Sequence, residues 1–176
     1  LASKIAKSNV EITLDLSETQ GLVAISPASS NTSVFKDCKK LVSVVLPSSL
    51  TTIGSYAFYN CDGLRSITIT KTVKTIGTDA FYSCDALESV EIIGTETIGD
   101  SAFYSCKNLR NVYLKDVSTI GTSAFRNCQS LQTVYLENIK TVGDYSFGAS
   151  SNGEYYGNNK SLDTVTLKNI TTIGRY

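Results

Sequence analysis

The 176-residue chain contains no histidine, no methionine and no tryptophan, and charged side chains make up only 18% of it, against a globular norm of about 25%. Without histidine it lacks the commonest general base and the commonest metal ligand. Its 16 basic and 16 acidic side chains cancel, so nothing in the charge balance draws it toward nucleic acid or an acidic membrane. No unbroken apolar run reaches the ~18 residues that a spanning helix needs, and no membrane insertion is expected within it. What is present is 41% hydrophobic, at a length that favours one domain with a core able to fold without staples.

That core is written as a repeat. Phe35, Phe58, Phe81, Phe103, Phe125 and Phe147 follow one another at steps of 23, 23, 22, 22 and 22 residues. Cys38, Cys61, Cys84, Cys106 and Cys128 trail them by three positions, and Leu41, Leu64, Leu87, Leu109 and Leu131 by six. The unit reads I-G-x-x-A-F-x-x-C-x-x-L-x-x-V-x-L-x-x-V-x-T and begins at Ile53, Ile76, Ile98, Ile120 and Val142, with a cut-off copy at Ile173. A period in the low twenties around L-x-x-V-x-L signals a stack of one-strand coils. In Leu64 to Thr70 the apolar Leu64, Ile67 and Ile69 alternate with Thr68 and Thr70, which predicts a strand with one face in the core and one in water. Gly54, Gly77, Gly99, Gly121 and Gly143 fall where a tight bend or a positive φ is expected. No coil buries both of its faces alone, so each needs neighbours.

The run I-G-x-x-A-F-x-x-C-x-x-L, at 53–64, 76–87, 98–109 and 120–131, resembles the BspA-like branch of the leucine-rich repeats. The resemblance implies a leucine-rich-repeat solenoid with one short parallel β-strand per coil of 22–23 residues and a return side made mostly of loops and turns. It further implies a cell-surface or secreted microbial protein, since the family is mostly described as surface adhesins. Residues 34–176 carry the repeats, truncated in the last copy, and residues 1–33 read as a degenerate first coil preceded by a cap. Leu1, Ala2, Ile5 and Ala6 lie at helical spacing and predict a short N-terminal capping helix; Val10 to Leu16 alternates like a first strand. The chain ends a few residues into a new copy and reads as a segment of a longer protein.

Two stretches break the pattern. Ser26-Pro27-Ala28-Ser29-Ser30-Asn31 reads as a loop insertion. Phe147 to Leu162 spans 15 positions where Phe125 to Leu131 spans six, and the extra material contains Tyr155 and Tyr156, which fill no repeat column. Loops that interrupt an array often carry function, so both tyrosines are candidate ligand contacts, although a tolerated surface insertion explains them equally.

The remaining chemistry is sparse. Five cysteines in one column lie about 4.8 Å apart with parallel Cβ vectors, which do not converge as a disulfide requires. A zinc site needs converging ligands, so the column reads as buried reduced thiols and no metal or cofactor is expected. No phosphate loop or nucleophile elbow is complete. Glu91 and Glu137 share a face some 10 Å apart, near the inverting glycosidase separation, but an exposed sheet gives no reason for a raised pKa; no enzyme activity is expected. The three N-x-[ST] matches, at Asn31, Asn159 and Asn169, carry no weight in a chain so rich in serine and threonine.

The outward strand columns are the stronger candidates. One runs Asp15, Val45, Thr68, Glu91, Tyr113, Tyr135, Thr166; the next runs Ser17, Pro47, Thr70, Ile93, Lys115, Glu137, Lys168. Tyr113 and Tyr135 therefore stand side by side, framed by Glu91, Lys115 and Glu137, in the composition of an interface anchor. Tyrosine is also a good strand former that stacks for stability alone. A second tyrosine column, Tyr59, Tyr82 and Tyr104, breaks at Arg126 and is expected to pack along the return surface. The expected function is a non-catalytic binding module for an extracellular or host protein. A spacer with no ligand and a carbohydrate-binding module are the alternatives, the latter making a glycan the ligand.

Overall fold

A computed structural model describes Ile5 and residues 7–25, 34–148 and 161–175. Each coil begins with a strand on one face of the solenoid: β1 (Ile12–Asp15), β3 (Leu41–Val45), β5 (Ser66–Ile67), β7 (Ser89–Ile93) and β9 (Asn111–Lys115). A two-residue strand follows in each after a turn: β2 (Ala24–Ile25), β4 (Thr52–Ile53), β6 (Thr75–Ile76), β8 (Thr97–Ile98) and β10 (Thr119–Ile120). In β11 (Thr133–Val142) and β12 (Thr164–Ile173) the two segments fuse. Every pairing is parallel, and the sheet curls around the core as stacked coils demand. The alternation is why: in β7 the pattern is Ser89, Glu91 and Ile93 outward with Val90 and Ile92 buried.

Opposite the strands, six phenylalanine rings form a continuous stack from Phe35 to Phe147. Successive centroids lie 4.9–5.2 Å apart with planes within 10°. The four central rings, Phe58 to Phe125, are fully buried. The cysteines stand behind them, all buried and none in a disulfide. They are more than small hydrophobes. Each thiol from Cys61 to Cys128 donates to the phenylalanine carbonyl of the preceding coil: Cys61 to Phe35 at 2.9 Å, Cys84 to Phe58 and Cys106 to Phe81 at 3.2 Å, and Cys128 to Phe103 at 3.3 Å.

The repeat glycines are required for a different reason from the one their spacing suggests. None of the described glycines of this column has a positive φ; that conformation is taken by Tyr56, Asp79, Ser101, Ser123 and Tyr145 two positions on. A Cβ on Gly77 would instead lie 2.4 Å from the Ser55 nitrogen, and one on Gly121 2.6 Å from that of Asp100. The column marks the closest approach of neighbouring backbones.

The predicted capping helix lies mostly outside the described residues. Ile5 itself is buried in the core, and the Ser8 amide donates to its carbonyl. The expected loop at 26–31 and the insertion with Tyr155 and Tyr156 also lie outside the described residues. At the far end β12 pairs with β11 alone among the described strands. Its Val165, Leu167 and Ile173 are exposed where Val134, Leu136 and Val142 of β11 are buried.

The strand face is not continuous. β1, β3 and β5 form one sheet, and β7 begins another. The break coincides with the change in coil length. Leu41 to Ile53 and Leu64 to Ile76 span 12 residues, whereas Leu87 to Ile98 and Leu109 to Ile120 span 11. The shorter coils turn tightly through a single left-handed residue, Gly94 or Asp116. In the longer coil before the break the chain turns through Thr70–Thr72, where the Val73 amide donates to the Thr70 carbonyl at 3.0 Å, and residues 68–70 do not pair with β7. Thus the stretch that reads as the clearest strand, Leu64 to Thr70, keeps only two strand residues, although its burial still alternates. The Phe stack and the two-residue strands cross the break undisturbed.

Candidate functional site

Beyond the break the outward columns align as their spacing requires. Glu91 pairs in register with Tyr113, Tyr113 with Tyr135, and Tyr135 with Thr166; Ile93, Lys115, Glu137 and Lys168 follow one another two positions on. Val112, Leu114, Val134 and Leu136 point into the core, which fixes the tyrosines on the outer face. The Tyr113 and Tyr135 rings stack at 4.7 Å with planes 7° apart.

Polar contacts hold this pair. The Tyr135 hydroxyl donates to Glu137 Oε2, Lys115 Nζ lies 3.1 Å from Glu137 Oε1, and Lys168 Nζ sits 5.2 Å over the Tyr135 ring. The Tyr135 hydrogen bond, with Lys115 second, pulls the Glu137 carboxyl below its ordinary value. Glu137 in turn raises Lys115. Four sequence candidates, Tyr113, Lys115, Tyr135 and Glu137, thus form one connected cluster, and Lys168 joins it although only its column position pointed there. A general acid for glycoside cleavage needs its carboxyl raised; Glu137 is shifted the other way.

Glu91 stands apart. It has no ion-pair or hydrogen-bond partner among the described residues, and it lines a cavity of about 500 Å³ at the break, with Thr68, Ile69, Lys71 and Ile93. The only sequence signal for this cavity is the step from 23 to 22 residues between phenylalanines.

On the return surface, Tyr59, Tyr82 and Tyr104 stack at 4.9 and 5.0 Å. The column does not stop at Arg126: its guanidinium lies 5.8 Å over Tyr104, and Lys36 lies 5.2 Å over Tyr59 at the other end. The tyrosines are half-buried, and desolvation raises Tyr59 and Tyr82. The thiols are held protonated by the same cause, Cys38 pushed up to about 11 and Cys128 to about 12. Among the described residues, no group of three His, Cys, Asp or Glu side chains could hold a metal ion, and no helix is long and apolar enough to cross a membrane.

A leucine-rich repeat protein of T. pallidum superposes on the chain with a TM-score of 0.77 at 30% identity, over 93% of this chain and 73% of that one. A leucine-rich repeat protein from Bacteroides ovatus gives 0.52 at 28% identity, over 86% of this chain and 43% of that one. No curated protein matches the sequence. Residues 29–154 match six copies of the BspA type leucine-rich repeat region. With the coils, the register and the Phe and Cys columns all in that pattern, the chain belongs to the BspA type leucine-rich repeat family.

Proposed function

We propose that this chain is a non-catalytic protein-binding module of a cell-surface or secreted microbial protein, and that it docks its partner on the strand face between β7 and β12. The observation that carries this reading is the Tyr113–Tyr135 stack, held half-buried by Lys115, Glu137 and Lys168. Its side chains are already ordered, so a partner would find an aromatic anchor whose conformational cost has been met before binding. Family membership supports a protein-interaction module, and the description of the family as surface adhesins supports an extracellular or host partner.

The test is a biolayer-interferometry screen of the chain against purified extracellular-matrix proteins, repeated with Tyr113→Ala and Tyr135→Ala. Loss of affinity by tenfold or more, the order expected of an aromatic anchor, supports the patch. A bound protein whose affinity neither variant changes refutes it. A glycan-binding module is less well supported, because the Tyr113–Tyr135 stack and Lys168 leave a sugar a single ring face, the outer one of Tyr113.

A further inference from the structure

We infer that the end of the tyrosine stack next to Glu91 is an arginine-recognition site, filled by a guanidinium of the partner protein. This rests on the strand face being the docking surface and names the chemistry that face selects.

The fold treats its aromatic stacks consistently. The return-side stack of Tyr59, Tyr82 and Tyr104 is closed at both ends by a cation, Lys36 on one and Arg126 on the other. The strand-face stack is closed at one end only. Lys168 lies over Tyr135, but among the described residues no cation lies over the outer face of Tyr113. Because Tyr135 covers one face of Tyr113 and lies on its β11 side, the uncovered face looks toward β7. The residue in register there is Glu91, a carboxylate with no partner among the described residues.

A ring face and a lone carboxylate on adjacent strands match the two preferences of a guanidinium, which stacks on aromatic planes and pairs with carboxylates through a fork of donors. The room comes from the break in the sheet, where the cavity beside Glu91 has Ile69 and Ile93 as an apolar wall for the methylene stem of an arginine. Lys71, from the coil of β5, also lines the cavity. Its charge repels a second cation, which holds the guanidinium at the Tyr113 side rather than deep in the break.

The probe is N-acetyl-L-arginine amide, titrated into the ¹⁵N-labelled chain and followed by amide chemical shifts, with the isosteric but neutral N-acetyl-L-citrulline amide as control. Saturable shifts are expected at Glu91, Ile93 and Tyr113 with arginine and not with citrulline. Glu91→Gln, a surface change that leaves the spectrum dispersed, weakens binding by about tenfold, and Tyr113→Leu by about fivefold. Lys71→Ala strengthens it by about twofold, since it removes an exposed like charge. Equal response to arginine and citrulline, or arginine affinity indifferent to Glu91→Gln, overturns the site. A matrix protein that wild type and Glu91→Gln bind equally also overturns it, and leaves the strand face standing as the docking surface.

Discussion

Tyr113 and Tyr135 lie face to face at 4.7 Å on adjacent parallel strands, and only Tyr135 is tied by its hydroxyl to a carboxylate, that of Glu137. The two rings therefore contribute differently. A double-mutant cycle with Tyr113→Ala and Tyr135→Ala, read from urea midpoints, should give a coupling of about 0.5–1.5 kcal/mol.

The hydroxyl contact has its own pH dependence. Glu137 sits below its ordinary value of 4.5 in the fold, so its contribution is complete above that value and disappears as pH falls through its folded range. Tyr135→Phe should thus destabilise the chain modestly at pH 7, and the difference should be smaller at a pH well below 4.5. Equal differences at both pH values would place the effect in packing and not in the hydrogen bond.

Two glycines should be sensitive to substitution for different reasons. Gly77→Ala places a Cβ 2.4 Å from a backbone nitrogen in the neighbouring coil and is expected to cost about 1–3 kcal/mol or more, because the coils must separate. Gly94 has φ +75° with open space around it, in a column where Asp116, Asn138 and Asn169 also take positive φ. Gly94→Ala is therefore expected to destabilise through backbone strain alone, and Gly94→Asn by less, since asparagine tolerates the left-handed region better than other side chains. Thermal unfolding of the three variants checks this, with Gly94→Asn expected to lose less than Gly94→Ala.

The thiols should be inert in the fold. Burial raises Cys38 to about 11 and Cys128 to about 12 from an ordinary 9.0, so a thiol-specific disulfide reagent at pH 8 should react with them only after denaturation. A raised thiol pKa contributes stability that is whole below pH 9.0 and is lost as pH climbs through 11–12. Denaturation midpoints should fall over that alkaline range. Cys84→Ala, which removes a donor to the Phe58 carbonyl, should cost about 1–3 kcal/mol.

Deleting Lys71 would convert one long coil into a short one. If coil length alone sets the break, β5 should then pair fully with β7, and the break should move one coil toward the N-terminus, between β3 and β5. Amide exchange reports this directly: protection should rise at residues 68–70 and fall at 43–45. A break that stays where it is would tie it to side chains instead.

The periodicity of Phe, Cys and Leu was enough to place the first strand of each coil and the two outward columns, because each depends only on which residues recur and on the period-two alternation of a strand. The second, two-residue strand of each coil was not legible, since a Thr-Ile pair carries no alternation of its own. The Tyr113–Tyr135 cluster was legible for the same reason as the columns. The role of Gly77 was not, since recurrence does not distinguish a bend from a close approach. Nor was the hydrogen bond of each thiol, because a cysteine column reads as apolar until a carbonyl is seen within reach. The shortened β5 escaped because alternation in Leu64 to Thr70 is a property of one coil, whereas pairing depends on the length of the next.

The step from 23 to 22 residues can be regarded as a line defect in a one-dimensional lattice. Gene duplication within the block of long coils, or within the block of short ones, adds layers on one side and leaves the defect itself untouched. The array can therefore grow or shrink at either side while Glu91 and Tyr113 keep the same surroundings. The length of the array and the geometry of the break are inherited separately in such a molecule, and a variant many coils longer would carry the same cavity once.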